Sequence, residues 1–355
     1  MVKLWKSIRN VFNRENKMQN ANRQWILVRR PDGEIQEGDL ELRESAIPQP
    51  GDGEVLVRNI YLSLDPTNRI WMSDIDQYMP PVEIGDVMRG GTLGVVEQSR
   101  SDLLAQGDIV LGGMGWEDYF TAPAGALNKL PVEMGIPLPA FMSVVGMTGL
   151  TAYFGTLDIC QPKSGETFVV SAAAGAVGSI AGQLAKLEGA RVVGIAGSDE
   201  KCRWLTNDLG FDAAINYKSE NVLDALGTRC PDGIDCYFEN VGGEILDAVL
   251  THLNKFSRIA LCGLIATYNA KDPVPGPYMF RNLLMKSTTL KGFIVIDYMD
   301  RFQEGLARLG GLVLEDKLKY QVDINPGLEN APKILNKLFT GENKGKLLVQ
   351  ISKEP

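Results

Sequence analysis

The stretch Thr167–Lys201, TFVVSAAAGAVGSIAGQLAKLEGARVVGIAGSDEK, leaves few folds open to this chain. Phe168, Val169 and Val170 make an apolar, largely β-branched run that reads as a buried parallel strand. A small-residue loop from Ser171 to Gly178 follows, Ile180, Leu184 and Leu187 then repeat at helical spacing, and Arg191–Ala196 reads as a second strand. The turn carries Ala173-Ala174-Gly175-Ala176-Val177-Gly178, a G-x-G-x-x-G pattern with alanine in the first position. Gly175 lets the backbone approach a pyrophosphate and Gly178 lets the helix pack close to the strand. The helix N-terminus offers unpaired N–H groups to the anion. In this strand, turn, helix, strand context the motif predicts dinucleotide binding; a tight turn that binds nothing is the alternative.

The end of the second strand bears on the choice of cofactor. An NAD-preferring site usually places an acid about 20 residues beyond the first glycine, on the ribose 2′-OH. Here the strand ends in Ile195-Ala196-Gly197-Ser198, without a carboxylate, and Lys201 follows. A hydroxyl and a cation suit a 2′-phosphate, so NADP is expected; a solvated first-turn lysine beside Asp199 and Glu200 is the competing reading of Lys201.

At 355 residues the chain exceeds one typical core, and two domains are expected. No apolar run approaches membrane-spanning length. The net charge of −8 disfavours a nucleic-acid partner, which would ask for a basic face. Cys160, Cys202, Cys230, Cys236 and Cys262 form no C-x-x-C pair, and His252 has no second histidine to join it. Neither a disulfide framework nor a zinc site is suggested, no metal is expected, and a reducing cytoplasm fits.

Residues 1–21 read as an extension expected to be disordered. Its first 20 residues hold five basic residues and one acid. Met18 as the natural start, an interfacial basic helix and a transit peptide all stay open. From Gln24 to Ala122 short strands alternate with turn residues (Gln24–Arg30, Leu40–Ile47, Glu54–Leu64, Thr92–Gln98, Asp108–Gly112, Tyr119–Ala122), which suggests a barrel-like β domain. Ala140–Leu157 reads as helical, interrupted at Gly146. Beyond Lys201, helices and strands alternate through Arg258–Cys262, as in a doubly wound parallel sheet. Ligands of such sheets lie beyond the strands' carboxyl ends, which nominates Asn240 and the segment Gly263–Tyr268. A helix Ala331–Phe339 and a strand Lys346–Ile351 close the chain and are expected to return to the first domain.

With these segments placed, the chain resembles the zinc-independent medium-chain dehydrogenase/reductases. The branch is that of the prostaglandin and leukotriene reductases, plant alkenal double-bond reductases and bacterial curcumin reductases. The matching motifs are Leu62-Ser63-Leu64-Asp65-Pro66, Gly107-Asp108-Ile109-Val110, Gly146–Tyr153, the Ala173–Gly178 loop, Ala196–Lys201, Glu239-Asn240-Val241-Gly242-Gly243 and Cys262–Asn269. The resemblance implies a Rossmann-type doubly wound sheet over residues 148–315 and a mostly β, GroES-like catalytic domain of 22–147 and 316–355. It implies NADPH held at Gly175, Ala176, Val177 and Gly178, with Ser198, Lys201 and Tyr217 about the 2′-phosphate. Asn240, Cys262, Gly263, Leu264, Tyr268, Phe293, Ile294, Val295 and Asn343 would line the rest. It also implies a homodimer joined through edge strands of the nucleotide domains.

The implied chemistry is reduction of the carbon–carbon double bond of an α,β-unsaturated ketone or aldehyde. Tyr268 would hydrogen-bond the carbonyl oxygen or fix the cofactor ribose hydroxyl that does so; a packing tyrosine is the alternative. Thr67 stands where plant and bacterial relatives often carry an aromatic, so one wall is expected to be more open or polar and straight-chain alkenals gain weight. Tyr78 and Trp116 are the expected aromatic wall, and DPVPGPY (272–278) an ordered loop near the cleft mouth or dimer contact. A quinone reductase and a non-catalytic NADPH-binding protein remain the alternative functions.

Overall fold

The computed structural model describes residues 21–355; the expected extension, Ala21 apart, lies outside the described residues. Seven strands come first: β1 Asn22–Leu27, β2 Leu40–Ser45, β3 Glu54–Ser63, β4 Arg89–Ser99, β5 Ile109–Gly115, β6 Tyr119–Pro123 and β7 Asn128–Lys129. Six follow in alternation with helices: β8 Thr167–Val170, β9 Arg191–Ala196, β10 Ala213–Asn216, β11 Ile234–Glu239, β12 Leu253–Leu261 and β13 Thr289–Gly292. Two more, β14 Val322–Pro326 and β15 Lys346–Gln350, precede the carboxyl end.

The middle set forms one parallel sheet in the order β10-β9-β8-β11-β12-β13. The order reverses between β8 and β11, and a crevice opens at such a switch point. Each residue of β8 is buried, because helices cover both faces of the sheet and a strand inside it meets no solvent. The helix Gly178–Leu187 lies close because Gly182 carries no side chain; a Cβ there would fall 2.0 Å from the Phe211 ring.

The other strands build a mostly β lobe. A seven-stranded sheet runs β14-β15-β3-β4-β5-β7, with β6 also on β3, and β1 and β2 form a separate antiparallel pair. Leu62, Met88, Trp116 and Val349 pack in one of its cores. The helical stretch between the lobes breaks where expected: Leu138–Phe141 and Met147–Phe154 are separate helices, with Gly146 extended between them. A Cβ on Gly146 would stand 2.2 Å from the Phe141 carbonyl oxygen.

Several elements escape the sequence reading, three of them for clear physical reasons. The helix Phe302–Leu314 contains Gly305, Gly310 and Gly311, which lower its helical propensity. Gly305 is needed all the same, since a Cβ there would meet Leu150 at 2.6 Å where the two helices cross. Edge strand β13 is exposed along its length, so no apolar pattern announces it. Strand β14 pairs with β15 and carries no continuous apolar run.

Candidate active site

Between the lobes lies a cavity of about 1720 Å³, reached from the carboxyl ends of β8, β9, β11 and β12. Gly175, Ala176, Val177 and Gly178 line its floor. The loop carrying them is tightly wound. Ala172 has φ 48°, and a Cβ on Gly178 would lie 2.5 Å from the Ala172 carbonyl oxygen. No side chain caps the helix that starts at Gly178, and the N–H groups of Ala176, Val177 and Gly178, residues of the cavity lining, find no acceptor among the described residues. That donor set fits a pyrophosphate. The opposite lobe closes over it: Gly345 donates its N–H to the Ala174 carbonyl at 3.2 Å, and Gly175 and Gly345 form a bridge.

At the far end of β9, Gly197, Lys201 and Tyr217 line the cavity, and a Cβ on Gly197 would touch the Tyr217 ring at 3.0 Å. The Lys201 ammonium donates to the Gly341 carbonyl at 2.7 Å. Burial lowers its pKa, and the cations of Lys218 and Lys344 lower it further. Lys201 is the one of the three that lines the cavity and fits a phosphate there; Lys218 donates to the Thr340 carbonyl at 3.0 Å and Lys344 pairs with Glu200. Lys218 and Lys344 carry no motif of their own and were missed from sequence; only the fold brings them beside Lys201. Ser198 does not line the cavity. It is the N-cap of the helix Asp199–Asn207, its hydroxyl accepting the Lys201 N–H at 3.2 Å.

Asn240, Cys262, Gly263 and Tyr268 meet beyond the ends of β11 and β12, and Phe293, Ile294 and Val295 continue the wall past β13. Asn343 joins them from the other lobe, its amide donating to the Gly345 carbonyl at 3.0 Å. Leu264 is not part of the lining: it gives its N–H to the Tyr268 hydroxyl at 3.0 Å and its side chain covers Gly242. Because the Tyr268 oxygen accepts that bond, its own proton is free for another acceptor. Burial raises the Tyr268 pKa, only partly offset by the Leu264 N–H, so the hydroxyl is neutral at physiological pH. Burial pushes the Cys262 thiol up to about 12.

Across the cavity, Thr67 and Tyr78 share a short hydrogen bond, and Trp71 Nε1 donates to the Tyr78 oxygen at 3.0 Å. The polar residue at 67 thus anchors the one aromatic ring of the expected pair that reaches the cavity. Trp116 is the correction: it is fully buried, packed against Gly90 in the β-lobe core, and lines no part of the site. A Cβ on Gly90 would sit 2.4 Å from its Nε1, so the ring is enclosed by the sheet. Met114, half exposed, lines the cavity from the same stretch of chain. Asp65 and Lys346 also line the cavity as an ion pair between β3's loop and β15, with Lys346 further donating to the Leu64 carbonyl at 3.1 Å.

A dinucleotide cradle, a lysine at its far end and a neutral tyrosine at the switch point define a two-lobed, nucleotide-dependent oxidoreductase. Comparison with known proteins narrows this. Residues 23–130 match a family described as the N-terminal domain of oxidoreductase, and residues 176–310 one described as zinc-binding dehydrogenase. The chain is 45% identical over 336 residues to the NADPH-dependent curcumin reductase of Escherichia coli (strain K12), covering 93% of this chain and 97% of that one. It is 42% identical over 331 residues to prostaglandin reductase 1 of Bos taurus, covering 92% and 98%. The crystal structure of CurA in complex with NADPH from Vibrio vulnificus superposes with a TM-score of 0.88 at 43% identity, covering 94% of this chain and 100% of that one. The chain belongs to the zinc-independent branch of the medium-chain dehydrogenase/reductase family. Among the described residues, no three or more His, Cys, Asp or Glu side chains gather as a metal-ligand set.

Proposed function

We propose that this enzyme reduces the carbon–carbon double bond of α,β-unsaturated ketones and aldehydes, with NADPH as its cofactor. The observation that carries the reading is the Tyr268 hydroxyl, which is neutral, has its oxygen bonded to the Leu264 N–H and has its proton free in the cavity. Bound NADPH would supply the hydride that enters at the substrate's β-carbon. Charge then collects on the carbonyl oxygen, where a fixed O–H donor in a water-poor site lowers the barrier most. Tyr268 is that donor. The α-carbon completes the reaction by taking a proton, giving the saturated carbonyl compound.

Gly175–Gly178 hold the pyrophosphate, and Lys201 with Tyr217 holds the 2′-phosphate end. Ile75, Met79, Met114, Met134 and Met147 line the outer cavity, and this apolar, adaptable wall supports alkenals and enones with an apolar tail over charged substrates. The functional division follows residues 22–147 with 316–355 for substrate and 148–315 for nucleotide. Five free cysteines suit a reducing compartment such as the cytoplasm. A homodimer is part of the same reading: β13 is an exposed edge strand, with Phe280, Leu284 and Leu290 exposed on or before it.

The test is NADPH consumption against a panel of enones, alkenals, quinones and simple ketones, with Tyr268→Phe alongside. Oxidation confined to conjugated carbonyls, with kcat falling roughly 100-fold in the variant, is expected. Turnover of quinones alone overturns the reading in favour of a quinone reductase, and a variant as fast as the parent removes Tyr268 from the reaction.

A further inference from the structure

Glu239 ends β11 with no exposed surface and no cationic partner among the described residues, although the reaction gives it no part. Its two oxygens differ. Oε1 accepts the Ser171 hydroxyl at 2.8 Å and the Val241 N–H at 2.6 Å. Oε2 is buried and has no hydrogen-bond partner among the described residues. Only neutral donors reach the carboxyl group, Ser171 and Val241 at Oε1 with the Tyr237 hydroxyl and the Gly242 N–H next to them, and with no cation among them a buried carboxylic acid is favoured over a buried carboxylate. Burial raises the Glu239 pKa, in agreement with the neutral form.

The groups bound to Oε1 belong to the two loops that form the cofactor floor and wall. Ser171 begins the glycine loop and also accepts the Asn240 N–H at 2.8 Å, while the Asn240 amide donates to the Ser171 carbonyl at 2.8 Å. Immediately after Ser171 comes Ala172, at φ 48°, a left-handed conformation that costs a non-glycine residue energy and persists only when its surroundings hold it. Ala172, Asn240 and Val241 all line the cavity.

We infer that Glu239, as a neutral carboxylic acid, is a positioning residue that clasps the Ser171–Gly178 loop to the Asn240–Gly243 loop and holds Ala172 in the shape that receives the cofactor. This rests on the reading of the cavity as an NADPH site. The ionisable groups facing Glu239 are Tyr237 on its own strand, Cys262 beyond β12 and Tyr268 in the following turn, all uncharged at neutral pH. The Tyr237 hydroxyl is buried beside the Glu239 carboxyl, and burial keeps it protonated.

The experiment compares wild type, Glu239→Gln, Glu239→Ala and the double variant Glu239→Ala/Ala172→Gly by NADPH titration on protein fluorescence. Amide hydrogen exchange of the two loops without nucleotide is measured in parallel. The glutamine keeps one acceptor and one donor, so its Kd stays within about threefold of wild type, whereas the alanine weakens binding roughly tenfold. The double variant recovers part of the loss, because glycine takes the left-handed conformation freely. Exchange across residues 171–178 and 240–243 quickens in Glu239→Ala and not in Glu239→Gln. An alanine variant that binds as tightly as wild type and exchanges no faster overturns the clasp, and a glutamine variant as weak as alanine overturns the neutral form. A wild type that fails to bind NADPH overturns the cofactor reading instead, and loop exchange still decides the clasp.

Discussion

Replacing Lys201 with alanine should separate the two nicotinamide cofactors. In the folded protein the ammonium donates to the Gly341 carbonyl and makes no ion pair among the described residues, and burial, then the cations of Lys218 and Lys344, lower its pKa against the opposing pull of Asp323 and Glu200. A 2′-phosphate supplies the missing anion. A hydrogen bond between charged groups contributes about 1.5–3 kcal/mol, or roughly 10- to 150-fold in Kd. Lys218 and Lys344 remain in the variant, so the lower end applies, and NADPH should bind about 10- to 30-fold more weakly. NADH lacks the phosphate and loses only what the Gly341 contact contributes to closure of the cleft, so its Kd should move by no more than about threefold. Titration of both nucleotides against both proteins gives the ratio directly. Equal weakening of NADPH and NADH would refute the phosphate role and leave Lys201 as an interdomain strut; no change in either would refute both.

Further outcomes follow from the same geometry. Gly178→Val should abolish measurable NADPH binding, because its Cβ would meet the Ala172 carbonyl oxygen at 2.5 Å and the Ala173 Cα at 2.9 Å, both backbone atoms; unchanged titration would contradict this. Asp65→Ala should lower stability by about 3–5 kcal/mol, since it strands the Lys346 ammonium, whose side chain is 1% exposed. Lys346→Met should cost less, because Asp65, 29% exposed, still reaches water and keeps the Ser63 hydroxyl, and urea midpoints in the reverse order would sink the argument. For pH, Glu239 has a folded pKa above its ordinary 4.5, so its contribution is complete below that value and is lost as pH rises through the folded pKa. Glu239→Gln should therefore gain stability relative to wild type between acidic and alkaline buffers, and a constant difference would mean that the group does not titrate in that window.

Sequence reading carried furthest where a residue's local pattern and its tertiary role coincide. Strand β10, Ala213–Asn216, has the expected bounds because a short apolar run between polar turns is also a half-buried strand at the edge of the parallel sheet. The glycine loop was legible because Gly178 is required by backbone contact, which no other residue can satisfy. The helix Phe302–Leu314 was not, since Gly305 serves a helix crossing that becomes visible only with Leu150 in place. Trp116 misled because its type suits a pocket wall, while its direction is fixed by how β5 turns into the core. The cluster of Lys201, Lys218 and Lys344 spans three distant segments, and only folding unites it. Glu239 left a trace, an acid directly after the apolar run Cys236–Phe238, but its neutrality depends on partners from other loops.

The central claim is that hydride enters at the β-carbon of a conjugated carbonyl compound. The most direct measurement uses NADPH deuterated at its transferable position with a simple alkenal, followed by mass spectrometry and NMR of the product. One deuterium at the β-carbon of a saturated aldehyde is the predicted result. Deuterium on the carbonyl carbon of an allylic alcohol, or no deuterium in any product while NADPH is bound, would contradict the account.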